Sequence, residues 1–228
     1  MLRRVHPIQP NDFKFSATNM KWAKEKIKKY PSGRKASAVI PILWKVQEQE
    51  GWVSRPAIDC VAKILEMDPI RVLEVASFYF MFHLSPMGDV AHVQVCGTTS
   101  CMLCGSEDLI KVCKEEISQE PHTRSSDGKF SWEEVECLGA CANAPIVQIG
   151  KDYFEDLSEK KFRSLVKLLK KGKISVPGSQ VGRFSCEPGN GQKTLQGKNK
   201  EKNNASVQLA LRGKDTVFKK NKLKFNSV

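Results

Sequence analysis

Two short cysteine clusters constrain this chain more than any other feature of its sequence. The first is Cys96-Gly-Thr-Thr-Ser-Cys101, followed by Cys104, and the second is Cys137-Leu-Gly-Ala-Cys141. Each cluster follows a short run that predicts a strand, so the two loops can converge at one edge of a sheet. We expect no secretory signal, because the arginines near the N-terminus precede no apolar run. Eight cysteines in such a chain favour a metal or redox site over disulfides.

The residues around the two clusters favour an iron–sulfur site. Four sulfurs on converging loops can hold a cluster of two irons and two sulfides, 2Fe–2S. Thr98, Thr99 and Ser100 offer hydroxyl and N–H groups that can hydrogen-bond to sulfur. Gly139 lets the backbone approach a cluster without a Cβ in the way. Cys101 precedes a predicted helix, whose N-terminal dipole favours thiolate and an anionic cluster.

The same cysteines allow three other interpretations. A structural zinc site accepts four thiolates, although Cys96 and Cys101 lie at the edge of its usual spacing. A dithiol oxidoreductase would use the C-x-x-C pair Cys101 and Cys104, but it leaves Cys137 and Cys141 without a role. A plant-type ferredoxin would use Cys96, Cys101 and Cys104, which match the C-x4-C-x2-C spacing. Spacing alone leaves these alternatives open.

The first part of the chain has the periodicity of amphipathic helices. After an N-terminal arm over residues 1–16, the pattern predicts a bundle of four short helices over residues 17–86. Pro56 is placed to begin one of these helices and Gly51 to end another. We expect the aromatic side chains near the end of this region to belong to the bundle core; they are Phe78, Tyr79, Phe80 and Phe82.

The periodicity changes at residue 87, and residues 87–172 predict the order β-α-β-β-β-α. The predicted strands cover 92–95, 130–136, 146–149 and 153–154, and the predicted helices cover 105–117 and 158–169. A small sheet with helices packed against it is typical of thioredoxin-like folds. The predicted fold class is therefore α+β, with an N-terminal helical bundle followed by a thioredoxin-like 2Fe–2S ferredoxin domain. Residues 173–228 predict a basic tail that is extended or disordered.

The net charge of +12 is concentrated in that tail, and it limits the classes of partner. Residues 172–228 carry twelve Lys and Arg against three Asp and Glu, so the rest of the chain carries only +3. We therefore expect no nucleic-acid partner. No run of about 18 apolar residues is present, so we expect no direct insertion into a membrane. The sequence has neither a dinucleotide fingerprint nor a catalytic triad, so we expect no NADH or flavin site and no catalytic side chain.

Five segments carry a resemblance to a known family. They are SFYFMF at 77–82, CGTTSCML at 96–103, ECLGACANAP at 136–145, YFEDL at 153–157 and GRFSCEP at 182–188. Together they are similar to the thioredoxin-like 2Fe–2S ferredoxin subunit in the NADH-oxidising arm of respiratory complex I, the NADH:quinone oxidoreductase. The two cysteine motifs are the most specific part of this resemblance, which extends over most of the chain.

The resemblance implies a set of ligands for one 2Fe–2S cluster. Cys96 and Cys101 match the family's ligands to one iron, and Cys137 and Cys141 match its ligands to the other. Cys104 is not at a ligand position of the family. The segment around Cys186 resembles the family's extended C-terminal arm, for which packing against a partner subunit is expected.

The resemblance also implies a function and its partners. The cluster would exchange one electron with the flavin of a separate subunit that binds FMN and NADH, alongside other subunits of the peripheral arm. Equivalent ferredoxin subunits occur in NAD-linked formate dehydrogenases and hydrogenases, which are the alternative assemblies. The expected location is cytoplasmic, peripheral on the inner face of the bacterial inner membrane through the complex, or on the matrix side of a mitochondrion.

Overall fold

The structure is a computed structural model, and it describes residues 3–191, residue 194, residues 203–213 and residues 224–225. It divides into two compact units, Met1–Met87 and Gly88–Val228. Over the described ranges, no helix is both long enough and apolar enough to cross a membrane.

The first unit consists of helices joined by short turns. They are α1 (Ala17–Ile27), a 3₁₀ turn (Lys35–Ala38), α2 (Val39–Glu50), α3 (Arg55–Leu65) and α4 (Pro69–Phe78). The Ser16 side chain accepts a hydrogen bond from the backbone N–H of Asn19 and so caps α1, and Ser54 caps α3 in the same way. Gly51 ends α2 with φ 86°, a conformation that glycine adopts without strain.

The apolar stripes of these helices meet in one core, as their periodicity predicts. The fully or almost fully buried side chains include Ile42, Leu43, Val46, Ala57, Ile58, Val61, Leu65, Val72 and Ala76. The prediction for the aromatic run is wrong for two residues. Phe82 is buried, but Phe78 and Phe80 are 73% and 77% exposed, because the chain leaves the helix at Tyr79 and turns these rings outward.

The second unit is a mixed sheet with helices against it. Its elements are β1 (Ala91–Cys96), α5 (Thr99–Leu103), α6 (Ser106–Glu116), β2 (Phe130–Val135), β3 (Val147–Ile149), β4 (Asp152–Glu155), α7 (Glu159–Lys170), β5 (Lys173–Ile174) and β6 (Gly178–Ser179). The order of strands in the main sheet is β2-β1-β3-β4-β6. The predicted order β-α-β-β-β-α is confirmed, and the short elements α5, β5 and β6 are additional.

The pairing of the strands determines where the cysteine loops lie. β1 pairs with β2 in parallel, with Cys96 opposite Val135, and β1 pairs with β3 in antiparallel orientation. Parallel neighbours require a crossover, which α6 supplies. One apolar core joins the sheet to α6 and α7; its fully buried members include Val93, Val95, Leu109, Val112, Ile149, Phe154, Phe162 and Val166. The fold is the expected α+β class with thioredoxin-like character.

The C-terminal tail contains regular structure in the part that is described. Helix α8 (Ala205–Leu211) buries Val207 and Ala210, and strand β7 (Lys224–Phe225) pairs with β5 in parallel. A Cβ on Gly178, in β6, would lie 3.0 Å from a methyl carbon of Val207, so α8 packs closely on this strand. These elements differ from the extended or disordered chain predicted for residues 173–228.

Candidate metal centre

Four cysteines gather at one edge of the main sheet. Cys96 is the last residue of β1, and Cys137 follows the end of β2 by two residues. Because the two strands are parallel neighbours, their carboxyl ends meet at the same edge and bring the following loops together. Cys101 lies in the short helix α5 and Cys141 begins a 3₁₀ turn, so each loop returns a second thiol to the same place.

The first pair of thiols, Cys96 and Cys101, is buried and hydrogen-bonded to each other. The Cys96 sulfur lies 3.3 Å from the Thr98 hydroxyl oxygen. Burial opposes ionisation of Cys96, but hydrogen bonds from Thr98 and from the backbone N–H of Leu138 outweigh it and lower its pKa. Burial, followed by the hydrogen bond with Cys96, raises the pKa of Cys101 to about 12. This pair thus holds one thiolate and one thiol.

The second pair, Cys137 and Cys141, is exposed, and its sulfurs lie 3.4 Å apart. The backbone N–H of Gly139 donates to the Cys137 sulfur over 3.4 Å, and this bond lowers the pKa of Cys137. The hydrogen bond with Cys137 and repulsion from its charge raise the pKa of Cys141. Gly139 has φ 81°, and nothing lies within 4 Å of a Cβ placed on it. The left-handed backbone, rather than a lack of space, therefore favours glycine there.

The two pairs interact with each other across the site. Charge on Cys96 affects the pKa of Cys137, and charge on Cys141 affects that of Cys101. The hydroxyls of Thr98 and Ser100, on the first loop, hydrogen-bond to the thiols of the second pair. The structure thus brings together the four thiols that the sequence predicts, and it places two of the three predicted hydroxyl donors against them.

The donor set suits a thiophilic metal group. All eight cysteines of the chain are free, and four of them converge here as two close pairs. Thiolates are the ligands of iron–sulfur clusters and of structural zinc. Backbone N–H groups of Leu138, Gly139 and Ile146 point at three of the sulfurs, which is the kind of contact that tunes an iron–sulfur centre. The residues present therefore fit a 2Fe–2S cluster.

The other cysteines lie apart from this set. Cys104 is exposed at the end of α5, whereas Cys101 is fully buried and contacts Cys96. Cys113 is buried within α6, and burial raises the pKa of its thiol well above the usual range. Cys60 is half-buried in α3, and Cys186 is exposed. The C-x-x-C pair of the dithiol interpretation is thus divided between a buried and an exposed thiol.

The structure adds residues to the site that the sequence analysis did not single out. The hydroxyl of Tyr153, in β4, donates to the carbonyl of Leu138 over 2.9 Å and so fixes the second loop. Arg183 donates to the carbonyl of Ala142 over 2.9 Å, next to Cys141. Both residues lie in segments that carry the family resemblance, YFEDL and GRFSCEP, and this was the available signal for them.

A family model matches most of the chain. The model described as "Thioredoxin-like [2Fe-2S] ferredoxin" covers residues 23–170. This range includes α1 to α7 almost completely and all four cysteines of the site. It ends before β5, so the GRFSCEP segment lies outside the match.

Named relatives and a solved structure give further likenesses. The chain is 56% identical to the E-type NADH-quinone oxidoreductase subunit, copy 1, of Rhizobium meliloti (strain 1021), over 83% of this chain and 70% of that protein. It is 48% identical to the E-type NADH-quinone oxidoreductase subunit of Rickettsia bellii (strain RML369-C), over 70% of this chain and 95% of that protein. A chain of an NAD+-reducing [NiFe]-hydrogenase in the H2-reduced state matches with a TM-score of 0.52 and 16% identity, over 59% of this chain and 22% of that chain. That likeness concerns the fold alone.

Proposed function

Because the chain belongs to the family of thioredoxin-like 2Fe–2S ferredoxins, we propose that it is the electron-transfer subunit of an NADH-quinone oxidoreductase. Its relatives at 48% and 56% identity are both named as a subunit of that enzyme. The chain takes part in the reaction as a carrier of one 2Fe–2S cluster and has no NADH or flavin site of its own.

The proposed ligands are Cys96 and Cys101 for one iron and Cys137 and Cys141 for the other. The observation that carries this proposal is the pairing of the thiols: Cys96 hydrogen-bonds to Cys101, and the sulfurs of Cys137 and Cys141 lie 3.4 Å apart. Each pair comes from one loop, and each iron of such a cluster takes two protein ligands.

The protein's own residues determine the surroundings of the cluster, which when bound supplies reversible one-electron transfer. Ile146 is buried beside Cys96 and Cys101 and keeps water from that side of the site. Backbone N–H groups and the hydroxyls of Thr98 and Ser100 direct positive charge at the sulfurs. The exposed thiols of Cys137 and Cys141 leave the other side open to a partner.

The proposed partners follow from this role. A separate subunit carries FMN and NADH and exchanges single electrons with the cluster, and further subunits of the peripheral arm surround it. The complex holds the chain at the inner face of the bacterial inner membrane, or at the matrix side in a mitochondrion. An equivalent place in a formate dehydrogenase or hydrogenase has less support, since the hydrogenase likeness rests on 16% identity.

Electron paramagnetic resonance (EPR) tests the proposal directly. The full chain is reconstituted with iron and sulfide, and spectra are recorded at low temperature before and after reduction with dithionite. The expected result is a reddish-brown protein with two irons per chain, silent when oxidised and with a single spin-half signal when reduced. A colourless protein that is silent in both states contradicts the proposal; bound zinc or disulfide activity of Cys101 and Cys104 would then identify the alternative.

A further inference from the structure

A guanidinium group connects the second cysteine loop to a distant part of the chain. Arg183 donates from Nη2 to the carbonyl of Ala142 over 2.9 Å and from Nη1 to the carbonyl of Glu187 over 3.1 Å. Its Nε donates to Asp156 Oδ2 over 3.1 Å, and its Nη2 also binds Asp156 Oδ1. One side chain thereby joins the residue after Cys141, the end of β4 and the C-terminal arm.

Asn143 makes a second connection between the same three segments. Its Nδ2 donates to the carbonyl of Ser185 over 2.8 Å and to Glu155 Oε2 over 2.5 Å. Its own carbonyl accepts from the backbone N–H of Asp156 over 2.7 Å. We call Asn143, Asp156, Arg183 and Ser185 the arm clamp, because they tie residues 183–187 to the loop that contains Cys141.

The arm clamp is buried and its backbone is strained. The side chains of Arg183 and Asp156 are only 18% and 12% exposed. Asp156 and Ser185 have φ 55° and 53°, a left-handed conformation that costs energy for residues other than glycine. The Asn143 Oδ1 atom is buried and accepts no hydrogen bond within the described part of the chain. Such a conformation persists only where the surrounding contacts determine it strongly.

The second cysteine loop needs such contacts because apolar packing does not hold it. Cys96 and Cys101 are buried in a small apolar cluster with Ile146, whereas Cys137 and Cys141 are exposed. Metal ligands keep their geometry when neighbouring hydrogen bonds fix them. For Cys141 these bonds come at the next two residues, from Arg183 and to Ser185.

We propose that Arg183, paired with Asp156, is a positioning residue that fixes the Cys141 side of the cluster by anchoring the Ala142 carbonyl. The proposal rests on the function proposed above, and it gives the segment 183–187 a role inside this chain. That segment lies beyond residues 23–170, which the family model covers.

The test compares Arg183→Gln with Arg163→Gln in the full chain loaded with its cluster. Arg163 is a matched control because it binds Glu115, Glu116 and Glu159 on α6 and α7, outside the arm clamp. The readouts are the EPR g values of the reduced cluster and the rate at which a chelator removes iron. Both variants are checked for folding by circular dichroism.

We expect Arg183→Gln to shift or broaden the EPR signal and to release iron about tenfold faster, the lower end of the effect of losing an outer contact to a ligand. We expect Arg163→Gln to match the unsubstituted chain in both readouts. Arg183→Lys should restore part of the effect, since it keeps the charge beside Asp156 but lacks the planar fork. If Arg183→Gln does not fold, Arg183→Lys decides the test by the same readouts.

A folded Arg183 variant with the spectrum and iron release of the unsubstituted chain overturns the positioning role. An equal change in Arg163→Gln also overturns it, because the effect would then be one of general stability. If the unsubstituted chain binds no 2Fe–2S cluster at all, the proposed function itself fails, and this outcome is distinct from the other two.

Discussion

At the residue scale, the cysteines divide by their surroundings rather than by their spacing. Cys101 is buried against Cys96 and feels the charge of Cys141, whereas Cys104, three residues later, is exposed. In the sequence these two cysteines are equally good candidates for a ligand. The turn of α5 separates them, because residues three apart on so short a helix need not share its buried side.

Single cysteine variants should reproduce this division. We expect Cys137→Ala and Cys141→Ala to abolish cluster binding, since each leaves one iron with a single protein ligand. We expect Cys104→Ala to keep two irons per chain and the EPR signal of the reduced protein. Iron analysis and EPR of the reconstituted variants provide the measurement. Loss of the cluster in Cys104→Ala, with Cys141→Ala unaffected, would instead indicate plant-type ligation.

The residues that the sequence analysis identified at the site are those with a local pattern. Thr98 and Gly139 lie inside the cysteine motifs, so their contacts with sulfur follow from position. Arg183 lies 41 residues from Ala142 and meets it only because β4 and β6 pair in parallel. No periodicity or spacing encodes that contact, and polar contacts between distant segments are therefore the part that sequence reasoning misses.

At the scale of the element, α3 shows where a helical pattern is sufficient. Its apolar positions recur at helical spacing, and the structure buries all of them; they are Ala57, Ile58, Val61, Ala62 and Leu65. The pattern fails at the end of α4, where Phe78 and Phe80 continue an apolar run without its geometry. Apolar composition alone therefore did not predict which aromatic rings enter the core.

A pair of variants checks that distinction between core and surface. Ile58→Ala should lower the free energy of unfolding of the first unit by about 2–5 kcal/mol, because it leaves a cavity in a closely packed core. Phe78→Ala should change it by about 0.5 kcal/mol or less, because the ring is mostly exposed. Urea unfolding followed by circular dichroism measures both values. A larger loss in Phe78→Ala than in Ile58→Ala contradicts this division between core and surface.

The contact between α6 and α7 gives a prediction for pH. Glu116 on α6 accepts a hydrogen bond from Lys170 over 2.7 Å and pairs with Arg163 at 3.3 Å, both on α7. The hydrogen bond from Lys170, followed by the other cationic contacts, lowers the pKa of Glu116. A carboxyl group with a lowered pKa stabilises the fold above its unfolded-state pKa, and this contribution disappears as the pH falls through the folded-state pKa.

Glu116→Gln should therefore lower stability at neutral pH but not in acid. The pair is partly exposed, so the expected loss at neutral pH is about 1 kcal/mol or less. The difference from the unsubstituted chain should shrink once the pH falls below about 4, under the ordinary pKa of a glutamate. Thermal unfolding across this range measures it, and a difference that stays constant or grows in acid contradicts the assignment.

At the scale of the whole molecule, the chain has two units with separate cores and a tail that is partly structured. The core of the first unit draws on residues 15–84 and that of the second on residues 91–174. A change in periodicity at residue 87 was visible in the sequence, because helical and strand patterns differ in period. The helix α8 was not, since Gly, Asn and Lys around it lower the local apolar content.

Two truncations separate the parts of the C-terminal region. A chain that ends after Gly191 keeps the arm clamp, whose last contact is with Glu187, but loses α8 and β7. We expect it to retain its cluster and to unfold a few degrees earlier, because the burial of Val207 contributes about 1.5–3 kcal/mol. A chain that ends after Gln180 also loses Arg183 and Ser185, and we expect it to release iron much faster.

Iron content and thermal unfolding of the two truncated chains distinguish the roles of the arm and the tail. Retention after Gly191 with loss after Gln180 places the requirement in residues 181–191, where Arg183 and Ser185 contact the cysteine loop. Equal retention in both chains means that the arm is dispensable for the cluster and that Tyr153 and the two loops hold it alone. Loss in both chains makes α8 a structural part of the second unit, because the Val207 contact with Gly178 then supports the strand from which the arm extends.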